Sequence, residues 1–174
     1  PQLAIQRDIF VFQSVVGCRI GDLYKLTKNN IVNGILEYVQ GKTRNQDPRT
    51  VRVPLNDVAK TILERYKDYD KGPLLPFISE QKYNQAIKEA FRLAGLDRIV
   101  TVINPLTRQP EQKFLYEVAT THTARKTFIG NMYKKVKDPD LVSSVSGHKE
   151  GSKAFRRYRE IDDEMKQELV HLLD

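Results

Sequence analysis

The chain has 174 residues, with 29 lysines and arginines against 22 aspartates and glutamates, so its net charge is +7. This length suits a single domain with its own core, and a 40% hydrophobic fraction excludes a disordered tail. No apolar run is long enough to span a membrane, no secretory signal is visible, and the single cysteine, Cys18, excludes a disulfide framework or a cysteine-rich zinc site. We therefore expect a protein of a reducing compartment, the cytoplasm, that needs no metal or other cofactor.

Hydrophobic periodicity predicts helices around a small sheet in the first part of the chain. Gly17 interrupts the first helical pattern, and Asn33-Gly34 is typical of a tight hairpin turn between two strands. Short β-prone runs flank this turn, and a further strand follows the polar loop over 41–49. Together they predict a three-stranded antiparallel sheet. In chain order, the predicted elements are a helix over 4–16, a helix from near Arg19, strands over 35–39 and 50–54, and helices over 57–69 and 80–94.

The second part of the chain predicts a further pair of strands and then helices. Segments 99–104 and 113–118 are rich in β-prone residues, and a helix follows from Thr120 or Thr121. Asp138-Pro139 marks the start of another helix. The predicted class is thus α+β, mainly α, in one domain over residues 1–174. Because the chain starts without methionine, we expect it to be the C-terminal part of a longer protein.

The positive charge is concentrated late in the sequence. Residues 122–159 hold 10 basic and 3 acidic side chains, net +7, whereas residues 160–174 hold 1 basic and 6 acidic side chains, net −5. A basic block indicates a nucleic-acid surface, although a solvated face explains the charge alone equally well. The acidic segment has an apolar stripe at helical spacing, which predicts a C-terminal helix that packs on its own domain or docks on another protein.

Five short motifs carry the residues of greatest chemical interest. Arg19 follows a glycine at a predicted helix start, and Asp22 lies three positions later on the same helix face. Lys42 follows Gly41 in the predicted hairpin loop. His122 and Arg125 are also three positions apart and face one side of a helix. Taken singly, each motif is also what an ordinary surface would show.

The remaining two motifs are Gly147-His148 and the segment that contains Tyr158. Tyr158 lies among three arginines, and nearby cations favour a phenolate and attract phosphate. Two arginines, two histidines, a lysine and a tyrosine are together the groups needed to cleave a phosphodiester without a metal. Arginines neutralise the phosphate, a nucleophile attacks it, and an acid protonates the leaving oxygen.

In this order and spacing, the motifs resemble the catalytic domain of tyrosine recombinases, the integrase family of DNA breaking-rejoining enzymes. The matching segments are Gly17-Cys18-Arg19-Ile20-Gly21-Asp22-Leu23, Gly41-Lys42, His122-Thr123-Ala124-Arg125, Ser146-Gly147-His148 and Tyr158. They span nearly the whole chain. The interval from His148 to Tyr158 is ten positions, one longer than in many family members.

The resemblance implies a role for each matching residue. Arg19 and Arg125 would hold the non-bridging phosphate oxygens, and Tyr158 would form a 3′-phosphotyrosyl bond. Lys42 would be the general acid for the leaving 5′ oxygen. The other implied roles are proton handling at the nucleophile for His122, a hydrogen bond to the phosphate for His148, and support of the catalytic groups by Asp22.

The resemblance also implies the partners of the protein. Double-stranded DNA is the substrate, and other recombinase protomers would form a tetrameric synapse in which the C-terminal helix, residues 160–174, docks on a neighbour. Accessory DNA-bending proteins are a further implied partner class, and the location would be the cytoplasm at the nucleoid. Basic side chains expected to contact DNA are Arg44, Arg49, Lys126, Arg156 and Arg157.

Integration and excision of a mobile element is the favoured activity, and three alternatives remain open. A chromosome-dimer-resolving recombinase has the same motifs. A type IB topoisomerase-like enzyme shares the fold and the nucleophile but relaxes DNA in place. A non-catalytic DNA-binding module is the third, against which the complete set of motifs argues.

Overall fold

The structure is a computed structural model that describes residues 2–41, 50–136 and 138–147, together with residue 170. Within these residues, no helix combines the length and the apolarity needed to cross a membrane. The helices are α1 (Gln2–Val16), α2 (Ile20–Leu23), α3 (Asp57–Arg65), α4 (Glu80–Leu93), α5 (Leu115–Val118), α6 (Thr121–Val136) and α7 (Pro139–Ser146). The strands are β1 (Ile31–Val32), β2 (Ile35–Val39), β3 (Thr50–Pro54), β4 (Ile99–Ile103) and β5 (Pro110–Phe114).

Helix α1 is the central element, because it packs against α3, α4 and α6. Its apolar residues recur every three or four positions and form one stripe, on which Ile9, Phe12 and Val16 are fully or almost fully buried. Each such side chain contributes about 1.5–3 kcal/mol when it leaves water. The first predicted helix is therefore confirmed, and it anchors the segment that follows it.

The predicted three-stranded sheet is confirmed, with strand order β1-β2-β3 and antiparallel pairing throughout. Asn33 and Gly34 form the first turn with φ of 50° and 76°, as the tightest hairpin loops require. Leu36 pairs with Val53 and is buried with it, so this face packs on the core. Helix α7 packs against β3 and brings the end of the described chain to the sheet.

The second hairpin differs from the sequence prediction at its C-terminal end. Strands β4 and β5 pair from Ile99 with Phe114 to Ile103 with Pro110, but residues 115–118 are helical instead of extended. The reason is a local cap, since the Glu117 carboxylate accepts a hydrogen bond of 2.7 Å from the Phe114 N–H. The cap outweighs the β propensity of this segment and turns the chain into α6.

Two predicted helices are shorter than expected. The helix beginning at Ile20 ends at Leu23, and α3 ends at Arg65 instead of continuing to residue 69. Tyr66 leaves helical geometry at φ −109°, and its hydroxyl donates a 2.9 Å hydrogen bond to Asp8. A tertiary contact to α1 thus accompanies the end of α3.

Asp8 joins α1 to α3 through a partly buried ion cluster. Its side chain is only 7% exposed, and its carboxylate pairs with Arg7 and Arg65 as well as with Tyr66. Burial alone would raise the pKa of the Asp8 carboxyl. Hydrogen bonds from Arg7, Arg65 and Tyr66 outweigh that effect and hold the pKa below its ordinary value.

Replacing Asp8 with asparagine should therefore destabilise the fold at neutral pH by about 1–3 kcal/mol. A group with a depressed folded-state pKa stabilises above its unfolded pKa and loses that effect as pH falls through the folded value. The difference in free energy of unfolding between wild type and Asp8→Asn should thus become smaller below pH 3.8, the ordinary carboxyl pKa. Urea unfolding across pH measures it, with exposed Asp70→Asn as the control; a gap independent of pH would contradict the assignment.

Candidate phosphate-binding site

The turn after α1 requires a glycine for two reasons. Gly17 has φ +71°, and a Cβ atom there would lie 2.3 Å from the Phe128 ring of α6. Its N–H donates to the Gln13 carbonyl at 2.9 Å, which closes the helix. The chain therefore passes directly against α6 and delivers Cys18 and Arg19 to the base of that helix.

A buried relay holds the peptide that precedes Arg19. The Gln13 amide nitrogen donates to the Cys18 carbonyl at 3.1 Å, and the Tyr83 hydroxyl of α4 donates to the Gln13 amide oxygen at 3.2 Å. Both Gln13 and Tyr83 are fully buried. The sequence reasoning missed this pair, although a glutamine within the apolar stripe of α1 is the kind of residue that indicates a buried hydrogen bond.

Arg125 joins three separate segments. It projects from α6, is 1% exposed, and donates from Nη1 to the Gly17 carbonyl and from Nη2 to the Ser146 carbonyl at 2.8 Å. The guanidinium thus fixes the turn after α1 and the end of α7 relative to one another. A planar cation held by two backbone carbonyls keeps a defined orientation.

The N-terminus of α6 is fixed by α4. The Asn84 side-chain oxygen accepts a hydrogen bond of 3.0 Å from the Thr121 N–H, which is one of the helix's first backbone donors. Thr121 itself is buried. His122, the next residue, is consequently held at the exposed end of α6, one turn from Arg125.

Asp22 fixes the start of the loop between β2 and β3. The residue is 6% exposed, and its Oδ1 accepts a hydrogen bond of 2.8 Å from the Gly41 N–H. Gly41 is the last described residue before Lys42. The carboxylate therefore holds the β2–β3 loop beside α2.

These groups surround one cavity of about 290 Å³. Its lining includes four residues that the motifs singled out, namely Arg19, Asp22, His122 and Arg125. The Arg19 Nη1 atom is buried and has no hydrogen-bond partner among the described residues. A buried cationic donor without a partner is costly in a protein interior, and an anion in the cavity would satisfy it.

The other site residues of the sequence prediction are not among the described residues that line this cavity. Lys126 is exposed and lines a separate groove between β4 and α6, not the cavity. Outside the described residues lie Lys42, Arg44, Arg49, His148, Arg156, Arg157, Tyr158 and, apart from residue 170, the segment 160–174.

The structure nevertheless places the residues before His148 next to the residues before Lys42. Gly147, which precedes His148, ends α7 with φ +66°. A Cβ atom there would lie 1.9 Å from the amide nitrogen of Gln40, two positions before Lys42. Gln40 is fully buried. The loop after β2 and the segment after α7 therefore start from adjacent points.

The buried thiol and phenols near the site are poor nucleophiles. Burial raises the pKa of the Cys18 thiol to about 12, so this side chain is protonated at neutral pH. Burial also raises the pKa of the Tyr38 hydroxyl, which lies close to Cys18.

Among the described residues, no group of three or more histidine, cysteine, aspartate or glutamate side chains is placed to hold a metal ion.

The solved structures that this chain resembles include site-specific recombinases and integrases. A XerA recombinase matches with a TM-score of 0.69 and 16% identity over 97% of this chain and 56% of that one. A lambda integrase dimer bound to a COC′ core site matches with a TM-score of 0.66 and 19% identity, over 92% and 53%. The Tn1549 transposon integrase, in complex with circular intermediate DNA, matches with a TM-score of 0.60 and 15% identity, over 96% and 57%.

The fold is thus that of a tyrosine recombinase catalytic domain, with its mainly helical core and small antiparallel sheet. The model of the phage integrase family matches residues 3–165, so the chain belongs to that family. The resemblance found in the motifs is confirmed. The chain spans about half the length of the solved proteins it matches, and no curated protein sequence matches it significantly.

The turn after α1 offers a direct test of how the site is held. We expect Gly17→Ala to destabilise the protein by more than about 2 kcal/mol, because it combines a positive φ with a collision against Phe128. Gly21→Ala is the matched control, since a Cβ at Gly21 meets nothing within 4 Å. Urea unfolding of both variants measures the difference, and equal stabilities would show that α6 does not confine this turn.

Proposed function

We propose that this protein carries out site-specific DNA recombination by tyrosine-mediated cleavage and rejoining of strands. The observation that carries the proposal is the cavity in which Arg19, His122 and Arg125 meet. Two guanidinium groups and an imidazole at one small, partly buried cavity suit a phosphodiester in its transition state. Fixed cationic donors around developing negative charge are commonly the largest contribution to catalysis.

The reaction is a pair of transesterifications. In the first, the Tyr158 oxygen attacks the scissile phosphorus, and the bond from phosphorus to the 5′ oxygen breaks. His122 takes part in removing the tyrosine proton, Lys42 protonates the leaving 5′ oxygen, and His148 donates a hydrogen bond to the phosphate. In the second step, a 5′ hydroxyl from another strand attacks the 3′-phosphotyrosyl bond and releases the tyrosine, so the number of phosphodiester bonds is conserved.

The assignment of the nucleophile to Tyr158 is supported by the chemistry of the other tyrosines. No tyrosine belongs to the described lining of the cavity. Burial raises the pKa of Tyr24 to about 12 and that of Tyr66 to about 12, the latter together with a hydrogen bond to Asp8. A phenol that is harder to ionise is a weaker nucleophile. Tyr158, flanked by Arg157 and Arg159, has the opposite surroundings in the sequence.

Tyr158→Phe should abolish covalent protein–DNA adducts on a nicked suicide substrate, because it removes only the attacking oxygen. The full-length protein is incubated with labelled DNA and resolved by denaturing electrophoresis. DNA binding, measured in parallel, should change less than about twofold, as expected for a hydroxyl outside the ground-state contacts. Adducts at the wild-type level would remove Tyr158 as the nucleophile, and Tyr69→Phe provides a control for the substitution.

Strand exchange between two sites requires more than one protomer, so the proposed assembly is a tetramer on two DNA duplexes. Residues 160–174 carry a net charge of −5 and an apolar stripe of Ile161, Met165, Leu169 and Leu172. We propose that this segment docks on a neighbouring protomer and couples the cleavage sites. The proposed activity of the whole protein is integration and excision of a mobile element, in the cytoplasm at the nucleoid.

Truncation after Glu160 separates the two roles of this segment. If it docks on a neighbour, the truncated protein should keep its melting temperature within a few degrees and still cleave a suicide substrate. It should lose synapsis of two DNA sites by at least about tenfold, because one interface per protomer is missing. Native gel electrophoresis of paired duplexes measures synapsis. A collapsed melting transition would instead show that the segment packs on its own domain.

A further inference from the structure

Lys25 lies at the cavity, although none of the motifs includes it. It lies two positions after the end of α2, is exposed, and is part of the cavity lining. Its Nζ atom lies 3.2 Å from the point that a Cβ atom of Gly41 would occupy. A side chain at Gly41 would therefore crowd this ammonium group at the start of the β2–β3 loop.

The ammonium group has no carboxylate partner among the described residues. The obvious candidate is Asp22, three positions earlier, but the Oδ1 atom of Asp22 accepts the Gly41 N–H instead. No ion pair joins Lys25 to Asp22 or to any other described acidic side chain. Within the described part of the chain, this cation next to Arg19 and Arg125 thus forms no ion pair with a carboxylate.

Lys25 also lies where two cavities meet. The cavity of about 290 Å³ that contains Arg19 and Arg125 is adjoined by a second one of about 490 Å³, and both are lined by Asp22, Lys25 and Gly41. The second cavity continues toward Asn30 and Tyr38. A DNA strand whose scissile phosphate occupies the first cavity would bring a neighbouring phosphate to this boundary, because phosphates repeat at every nucleotide.

We infer that Lys25 binds the phosphodiester next to the scissile one and fixes the register of the strand in the site. The inference rests on the proposed function, because it takes the first cavity as the scissile-phosphate pocket. A lysine suits this task, since its compact charge binds a backbone phosphate without the bidentate geometry that Arg19 and Arg125 supply at the reacting centre. The contact positions the DNA and carries no sequence information.

The test compares Lys25→Ala, Lys25→Gln and Lys25→Arg with wild type in the full-length protein. Each binds a duplex in which one phosphate, either 5′ or 3′ to the scissile phosphate, is replaced by a neutral methylphosphonate. On unmodified DNA, Lys25→Ala and Lys25→Gln should bind about three- to tenfold more weakly than wild type. The slope of the logarithm of the binding constant against the logarithm of the salt concentration should decrease in magnitude by about one. Lys25→Arg should retain most of the affinity.

The decisive result is the pairing of one variant with one phosphate. On one of the two methylphosphonate duplexes, wild type and Lys25→Ala should bind equally, because the contact is already missing. Lys82→Ala, an exposed lysine of α4 outside both cavities, should bind all three duplexes as wild type does. A Lys25→Ala defect that persists on both modified duplexes, or no defect on unmodified DNA, would overturn the inference.

Cleavage distinguishes this role from an effect on Lys42. At saturating DNA, Lys25→Ala should form Tyr158 adducts at a rate within about threefold of wild type, with the same pH profile, because a backbone contact acts mainly on binding. A shifted pH profile would show that Lys25 acts through the general acid, and would also overturn the inference. Whether the pH profile shifts or not, adduct formation by Lys25→Ala is consistent with the proposed function. That function is tested separately by the loss of adducts in Tyr158→Phe.

Discussion

The buried Arg125 guanidinium is the interaction on which the rest of the site depends. It bonds two backbone carbonyls that lie 108 and 21 positions away in the sequence, at Gly17 and Ser146. Removing a cation from water costs several kcal/mol unless hydrogen bonds compensate it. The fold meets this cost by bringing the turn after α1 and the end of α7 to the same helix, and both the Arg19 segment and the residues before His148 are placed by that requirement.

The need to satisfy buried polar groups with hydrogen bonds also explains the polar side chains at buried positions of α1. Gln6 donates to the Pro76 carbonyl, Asp8 holds α3, and Gln13 links Cys18 to Tyr83 of α4. Hydrogen bonds depend on distance and angle, so they constrain the arrangement of these segments more closely than apolar contacts do. The apolar stripe of α1 supplies the stability, and these three residues define where the neighbouring segments lie.

Sequence reasoning predicted the class of the fold, the three-stranded sheet and the four motif residues that the structure brings to one cavity. These succeeded because they rest on local periodicity, on turn residues such as Asn33-Gly34, and on residue types that one chemistry needs. Lys25, Gln13 and Asn84 were missed because their significance appears only when distant helices pack. The helix at 115–118 was missed because one cap, Glu117 to Phe114, outweighed the β propensity of its residues.

The two carbonyl partners of Arg125 also have a consequence for protein synthesis. Translation delivers Gly17 early and Ser146 late, so a nascent chain that has emerged only as far as α6 carries the Arg125 charge without its second carbonyl. Burial of α6 is then opposed by an incompletely compensated cation. We therefore expect the cavity that contains Arg19 and Arg125 to form only after α7 has been synthesised, because only then can the Ser146 carbonyl accept its hydrogen bond from Arg125.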